Sequence, residues 1–498
     1  MLTNKFKFNY SIGAVANGVK TDTFTFFLLF FYSNIIGLNS GLAGLAILIA
    51  LCVDAVTDPL MGTISDRTNT KYGRRHPFMM ISFIPMSVGY ILLFAPRQDW
   101  AMTQNELFIW MTLFTILTRI GMTLFDVPHR AFGGEVTKDY EERTLLMSWR
   151  EMMGWVAGLS NAFLGYGVFF ASTAEYPKGQ LNPDAWFPFA LTGAIIMIVS
   201  VLYSSFSTRD EIKGLSKWQG NIALIEILKE LKIAITNKAF LIFFFGNLFL
   251  SLAWGLANTL TLFVNTYFWG LEAGQIKYFL PIYLIATLLA FYIAPRIVKI
   301  LEKRTVVLIA IAGVGLLSPA AFIMYNLGLT PDAESYLELK FNWIGFKDYI
   351  PYFYPTVIKI SCLVLFISSF LVFLITFNVV GIMVRDSMVG DIADEVELQS
   401  GKRQEGILYA TVGFMQKLNA GLGSFFAGMV LAFIGFDKDN PSIEQGYTLA
   451  VVQGPGTTLL MIVPFIIFLG YSLSSSRHKE IMKNLSRRKE TIDSLKLK

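Results

Sequence analysis

Apolar runs long enough to cross a bilayer recur twelve times along the 498-residue chain, and no other feature limits its fold so sharply. A helix needs about 20 residues to span the hydrocarbon. The runs cover residues 12–36, 41–65, 76–96, 106–127, 148–171, 186–206, 240–268, 278–299, 305–326, 353–384, 405–435 and 446–475. In lipid each must be helical, because an open sheet edge would leave backbone groups without partners. An all-α membrane protein with twelve transmembrane helices in two six-helix halves is expected. Charged residues make up 15% of the chain, well below the roughly one quarter of soluble domains, which agrees.

Basic residues orient the bundle. Alternate connections carry clusters such as Arg67, Lys71, Arg74 and Arg75, whereas the opposite connections hold only Arg97, Lys178, Lys277, Lys340, Lys347 and Lys438. Positive charge marks the cytoplasmic side, so both ends of the chain are expected there, in a bacterial-type inner membrane. The start of the chain lacks a compact apolar core with a small-residue cleavage site, and the first helix is expected to remain as an anchor. The connection 207–239 separates a first half, 1–206, from a second, 240–475. Within it, Ile222, Ile225, Leu228 and Ile233 share a helical face, which predicts an amphipathic helix on the inner membrane surface. A solvated linker is the alternative. Residues 476–498 form a basic tail suited to lipid headgroups rather than nucleic acid. The connection 327–352 is the one long external loop, either a lid or a connector.

Several functions are excluded. No P-loop, metal-ligand cluster or G-x-S-x-G element occurs, so neither an ATP-driven pump nor an enzyme is expected. Cys52 and Cys362 fall within predicted spans and are expected as free thiols. We expect a monomer with no cofactor beyond a coupling ion.

Charges inside the spans carry the functional signal. Asp54 and Asp58 lie one turn apart in the second run, about 5–6 Å from each other on one helix face. A carboxylate in hydrocarbon costs about 2.5–3.5 kcal/mol on the lenient insertion scale, so the pair needs partners or a purpose. Converging acidic oxygens suit a proton or a small monovalent cation, with Na+ as the metal ion Asp54 and Asp58 would hold. Thr57 and Thr123 add candidate hydroxyl ligands. Two adjacent carboxylates repel, so one should take a proton readily when no cation is present, which lets one site accept either ion. Further charges within the spans include Lys20 and Asp22, Arg119 and Asp126, Arg150 and Glu151, Lys359 and Lys417. Arg119 can compensate Asp126 two turns away on the same helix, and Lys20 and Lys359 can snorkel to an interface. The turn GTISDRTNTKYGRRHP, with Asp66, Arg67, Arg74 and Arg75, suits a cytoplasmic gate that pairs with acids or helix C-termini, although plain charge bias explains it equally well.

The segments DAVTDPLMGTISDRTNTKYGRRHP, DVPHRAFGGEVTKDYEERT and GDIADEVELQSGKRQEGILYATVGFMQK resemble those of the glycoside–pentoside–hexuronide:cation symporters. The likeness runs through both halves in order. It implies the major facilitator fold, alternating access and coupling of Na+ or H+ to a solute. It also implies that Asp54, Asp58 and Thr123 bind the cation, with Lys417 nearby, and that Asp126 and Arg150 contact sugar hydroxyls. Thr57 stands where the family has asparagine, which leaves the ion open. The family's first-span sugar aspartate aligns with Gly18, one turn before Asp22, and Arg130 replaces an aromatic residue. A carboxylate lost and a cation gained suggest an acidic sugar, unless Arg130 is only a cytoplasmic loop charge. A lysolipid or other amphiphile carrier, and a non-transporting receptor or scaffold, are the competing readings.

Overall fold

Helix occupies most of the apolar runs among the described residues, and the interruptions follow from local chemistry. The structure is a computed structural model describing residues 2–68, 70–137, 140–209, 237–332, 335–347, 350–400, 421–438 and 441–496. Among these residues nine helices are long and apolar enough to cross a membrane. Helix also covers the first run, in pieces joined by wide π-type turns at Thr23–Phe27 and Phe31–Ile36. It covers the fifth run and, at Gly421–Phe433, part of the eleventh. The expected amphipathic helix of the middle connection lies outside the described residues, as does Lys417.

Four helices position the candidate site: α1 (Ala14–Asp22), α2 (Ser40–Arg67), α3 (Gln104–Glu135) and α4 (Tyr140–Leu164). Asn39 starts α2 by accepting hydrogen bonds from the backbone N–H groups of Gly41 and Leu42 at 3.0 and 3.3 Å. Thr103 and Glu106 form a reciprocal capping box at the start of α3. The helices approach closely where glycines face one another. A Cβ at Gly18 would lie 2.0 Å from the carbonyl oxygen of Gly154, so α1 and α4 meet backbone to backbone. Ile109, Leu113 and Val199 stay more than half exposed, the outward-apolar arrangement of a lipid-facing surface.

The chain forms two compact units. The first comprises Met1–Thr236 with Asn247–Ala273 and Gly406–Leu449; the second comprises Asn237–Gly246, Gly274–Glu405 and Ala450–Lys498. An aromatic core fills the first unit, where Trp186 is fully buried among Phe27, Phe30, Phe31, Phe94 and Phe170. In the second, α5 (Cys362–Ser400) ends in an acidic stretch against which α6 (Ser475–Lys496) docks. His478 contacts Asp394 at 3.0 Å, and Lys303 pairs with Asp391 at 2.7 Å. The basic tail therefore begins on protein acids of its own chain.

The structure corrects the tenth span. Residues expected to enter the membrane at 353 instead form an antiparallel hairpin of β1 (Tyr336–Lys347) and β2 (Ile350–Ser361), with Tyr336 opposite Ser361. The helix begins at Cys362. The run YPTVIKIS is rich in β-branched and aromatic residues, which suit a strand, and hydropathy alone does not separate the two. Lys359 is consequently an exposed residue of β2, paired with Glu338 at 3.0 Å.

Candidate functional site

Two rungs join α2 to α3 in parallel register. Arg119 donates to Asp54 at 2.5 Å, and one turn further Thr123 donates to Asp58 at 2.7 Å. Each rung links residues 65 positions apart, so the i, i+4 spacing of the two acids is matched by that of their partners. The side chains of Arg119 and Asp54 are each 4% exposed. The guanidinium also lies 5.6 Å from the Phe24 ring centroid, a cation–π contact. The other carboxylate oxygen of Asp54, Oδ1, has no hydrogen-bond partner among the described residues. The Thr57 hydroxyl points along its own helix, 3.5 Å from the Asp54 backbone carbonyl.

A second network follows on α3, less than one turn beyond Thr123. Asp126 accepts from Arg130 at 2.8 Å through Oδ2 and from Arg150 of α4 through Oδ1. Arg150 is almost fully buried and also donates to Glu151 at 2.6 Å and to His129 Nδ1 at 3.3 Å. His129 Nε2 faces the backbone carbonyl of Tyr10 at 3.0 Å, and its ring stacks on that tyrosine with centroids 4.2 Å apart. A carbonyl can only accept, so Nε2 carries the proton and Nδ1 is left to receive the Arg150 N–H. A neutral imidazole thus aims the guanidinium at Asp126.

The structure changes two expected pairings. Arg119 reaches Asp54, not Asp126, because seven residues advance a helix by about 10.5 Å, whereas α2 passes directly alongside. Arg130 is not a loop charge but belongs to α3 and pairs with Asp126. Gly18 occupies the close α1–α4 contact, and the Asp22 carboxylate lies against Gly158 of α4, whose added Cβ would be 2.4 Å from Oδ2. Lys20 lies 5.9 Å from the Phe24 ring. His129 and Tyr10 were not singled out from sequence, since nothing in their spacing marks a histidine as support for an arginine in another helix.

At the far end of α2 and α3, Arg74 and Arg75 both pair with Glu135, Arg74 at 2.8 Å. These pairs lie within the first unit. Arg67 is exposed, and the side chain of Asp66 is outside the described residues. Cys52 and Cys362 are free thiols. Among the described residues no group of three or more His, Cys, Asp or Glu side chains could hold a metal ion.

The family described as MFS/sugar transport protein matches residues 9–475. The chain belongs to that family. Among its relatives is the putative glycoside/cation symporter YagG of Escherichia coli (strain K12), 24% identical across 97% of this chain and 95% of the relative. The isoprimeverose transporter of Lactiplantibacillus pentosus is 23% identical across 92% and 87%. Among solved structures, the inward open xylose transporter XylE from E. coli covers 96% of both chains with a TM-score of 0.56 at 14% identity, a likeness of fold. Together with the nine candidate spans among the described residues, family membership makes this an integral, multi-pass membrane protein of the major facilitator fold.

Proposed function

We propose that this chain is a secondary active transporter, a Na+- or H+-coupled symporter of a sugar or glycoside that works by alternating access in a bacterial inner membrane. The observation that carries the reading is the placement of two adjoining polar networks on α2, α3 and α4 of a sugar-transport family member. Asp54 and Asp58, with Thr57 and Thr123 as hydroxyl neighbours, serve as the coupling site. Asp126 and Arg150 serve the solute, since a carboxylate accepts and a guanidinium donates paired hydrogen bonds to adjacent sugar hydroxyls. Asp22, with Gly18 one turn before it, and Lys417 remain part of this proposed solute path. The membrane potential supplies roughly 2.3 kcal/mol per charge per 100 mV, sufficient for marked accumulation.

Charge balance favours a neutral glycoside over an acidic sugar. Arg130 and Arg150 stand against Asp126 and Glu151, leaving these four side chains with no net positive charge to attract a carboxylate. Both ends in the cytoplasm, tail contact with lipid headgroups and a monomeric carrier complete the proposal. Solute-stimulated proton or sodium flux in vesicles, compared between neutral sugars, uronides and lysolipids, tests it. Sugar-driven flux that collapses in Asp54→Asn and Asp58→Asn is expected. Flux driven only by lysolipids would favour the amphiphile carrier, and no flux with any solute would favour a receptor or scaffold.

A further inference from the structure

Asp54 already has a cation. The guanidinium of Arg119 lies 2.5 Å from one of its carboxylate oxygens, both side chains are 4% exposed, and the Phe24 ring makes a cation–π contact with that guanidinium. This arrangement poorly suits a second positive ion at the same carboxylate. Among the described residues Asp54 Oδ1 has no hydrogen-bond partner, so it is where an incoming cation would approach. An ion bound there would share the Asp54 charge with the guanidinium, a few ångströms from a like charge in a site shielded from water, while the Asp58 carboxylate one turn away is already engaged by the Thr123 hydroxyl. A small hydrated ion gains by losing its water only if the ligands return more than that loss, and a carboxylate neutralised by arginine returns little. Arginine stays charged throughout, so the competitor cannot be removed by deprotonation.

We propose that Arg119 is a tethered cation seated at Asp54, and that it makes this carrier insensitive to sodium. Arg119 is in this sense a residue that determines ion specificity. The inference rests on the reading of Asp54 and Asp58 as the coupling site, but its test needs no solute. Purified protein in detergent is melted in sodium chloride and in choline chloride of equal ionic strength, and radioactive sodium binding is measured alongside. The wild type is expected to melt at the same temperature in both salts and to bind no sodium. Arg119→Gln is expected to gain a sodium-dependent rise in melting temperature, which the double variant Arg119→Gln, Asp54→Asn loses. Arg119→Lys, which keeps the charge, is expected to remain insensitive. Sodium binding or sodium stabilisation of the wild type overturns the proposal even if Arg119→Gln does not fold. So does a folded Arg119→Gln that gains no sodium response. Absence of sugar-driven flux in vesicles would instead count against the transport reading and leave these melting curves unchanged.

Discussion

Thr123 donates its hydroxyl to the Asp58 carboxylate at 2.7 Å, holding the second acid of α2 against α3. A hydrogen bond to a charged group contributes about 1.5–3 kcal/mol. Thr123→Val keeps the shape and removes the donor, so the concentration of coupling ion needed for half-maximal uptake is expected to shift roughly 10- to 100-fold. Thr123→Ser should stay near the wild type. Uptake measured against ion concentration checks both.

His129 is expected to act through Arg150. His129→Phe retains an aromatic ring to stack on Tyr10 but removes the Nδ1 acceptor that orients the guanidinium. Half-saturation for sugar should rise about tenfold, equivalent to about 1.4 kcal/mol, with maximal rate less affected. A change in maximal rate alone would assign the histidine to another step.

Removing Asp126 should be far more costly than removing an exposed acid. Asp126→Asn leaves Arg150 inside the bundle with Glu151 as its remaining carboxylate partner. Breaking a buried pair by deleting one partner typically costs about 3–5 kcal/mol. We expect a lowered melting temperature together with loss of sugar-driven flux.

Lys359 should be dispensable. Its pair with Glu338 joins two exposed side chains on the hairpin, and such pairs contribute about 0–1 kcal/mol. Lys359→Ala is expected to transport and melt like the wild type. Loss of transport would mean that the lysine serves the membrane-embedded site after all.

Much of this arrangement was legible in the chain. Span positions follow from hydropathy because lipid leaves helix as the economical solution, and the shared face of Asp54 and Asp58 follows from helical spacing. Thr123 was identifiable by resemblance to a family motif. Partners across helices were not legible: Arg119 could reach either aspartate by charge alone, and the choice of Asp54 depends on the parallel register of α2 and α3. The role of His129 depends on a third helix bringing Arg150 beside it. The hairpin was hidden for a different reason, since β-branched and aromatic residues raise hydropathy whether they enter a strand or a membrane helix.

Gly18 and Gly154 touch through their backbones, with no side chain between them to swing aside. The first and fifth spans are therefore expected to move together, as one stiff beam, in whatever motion carries a solute. A single methyl group at Gly18 is expected to wedge that beam apart, at about 1–3 kcal/mol of stability. Thermal unfolding of Gly18→Ala measures it directly. Asp22 and Arg150, mounted on the two halves of the beam, would then travel together and present the sugar with the same grip on either side of the membrane.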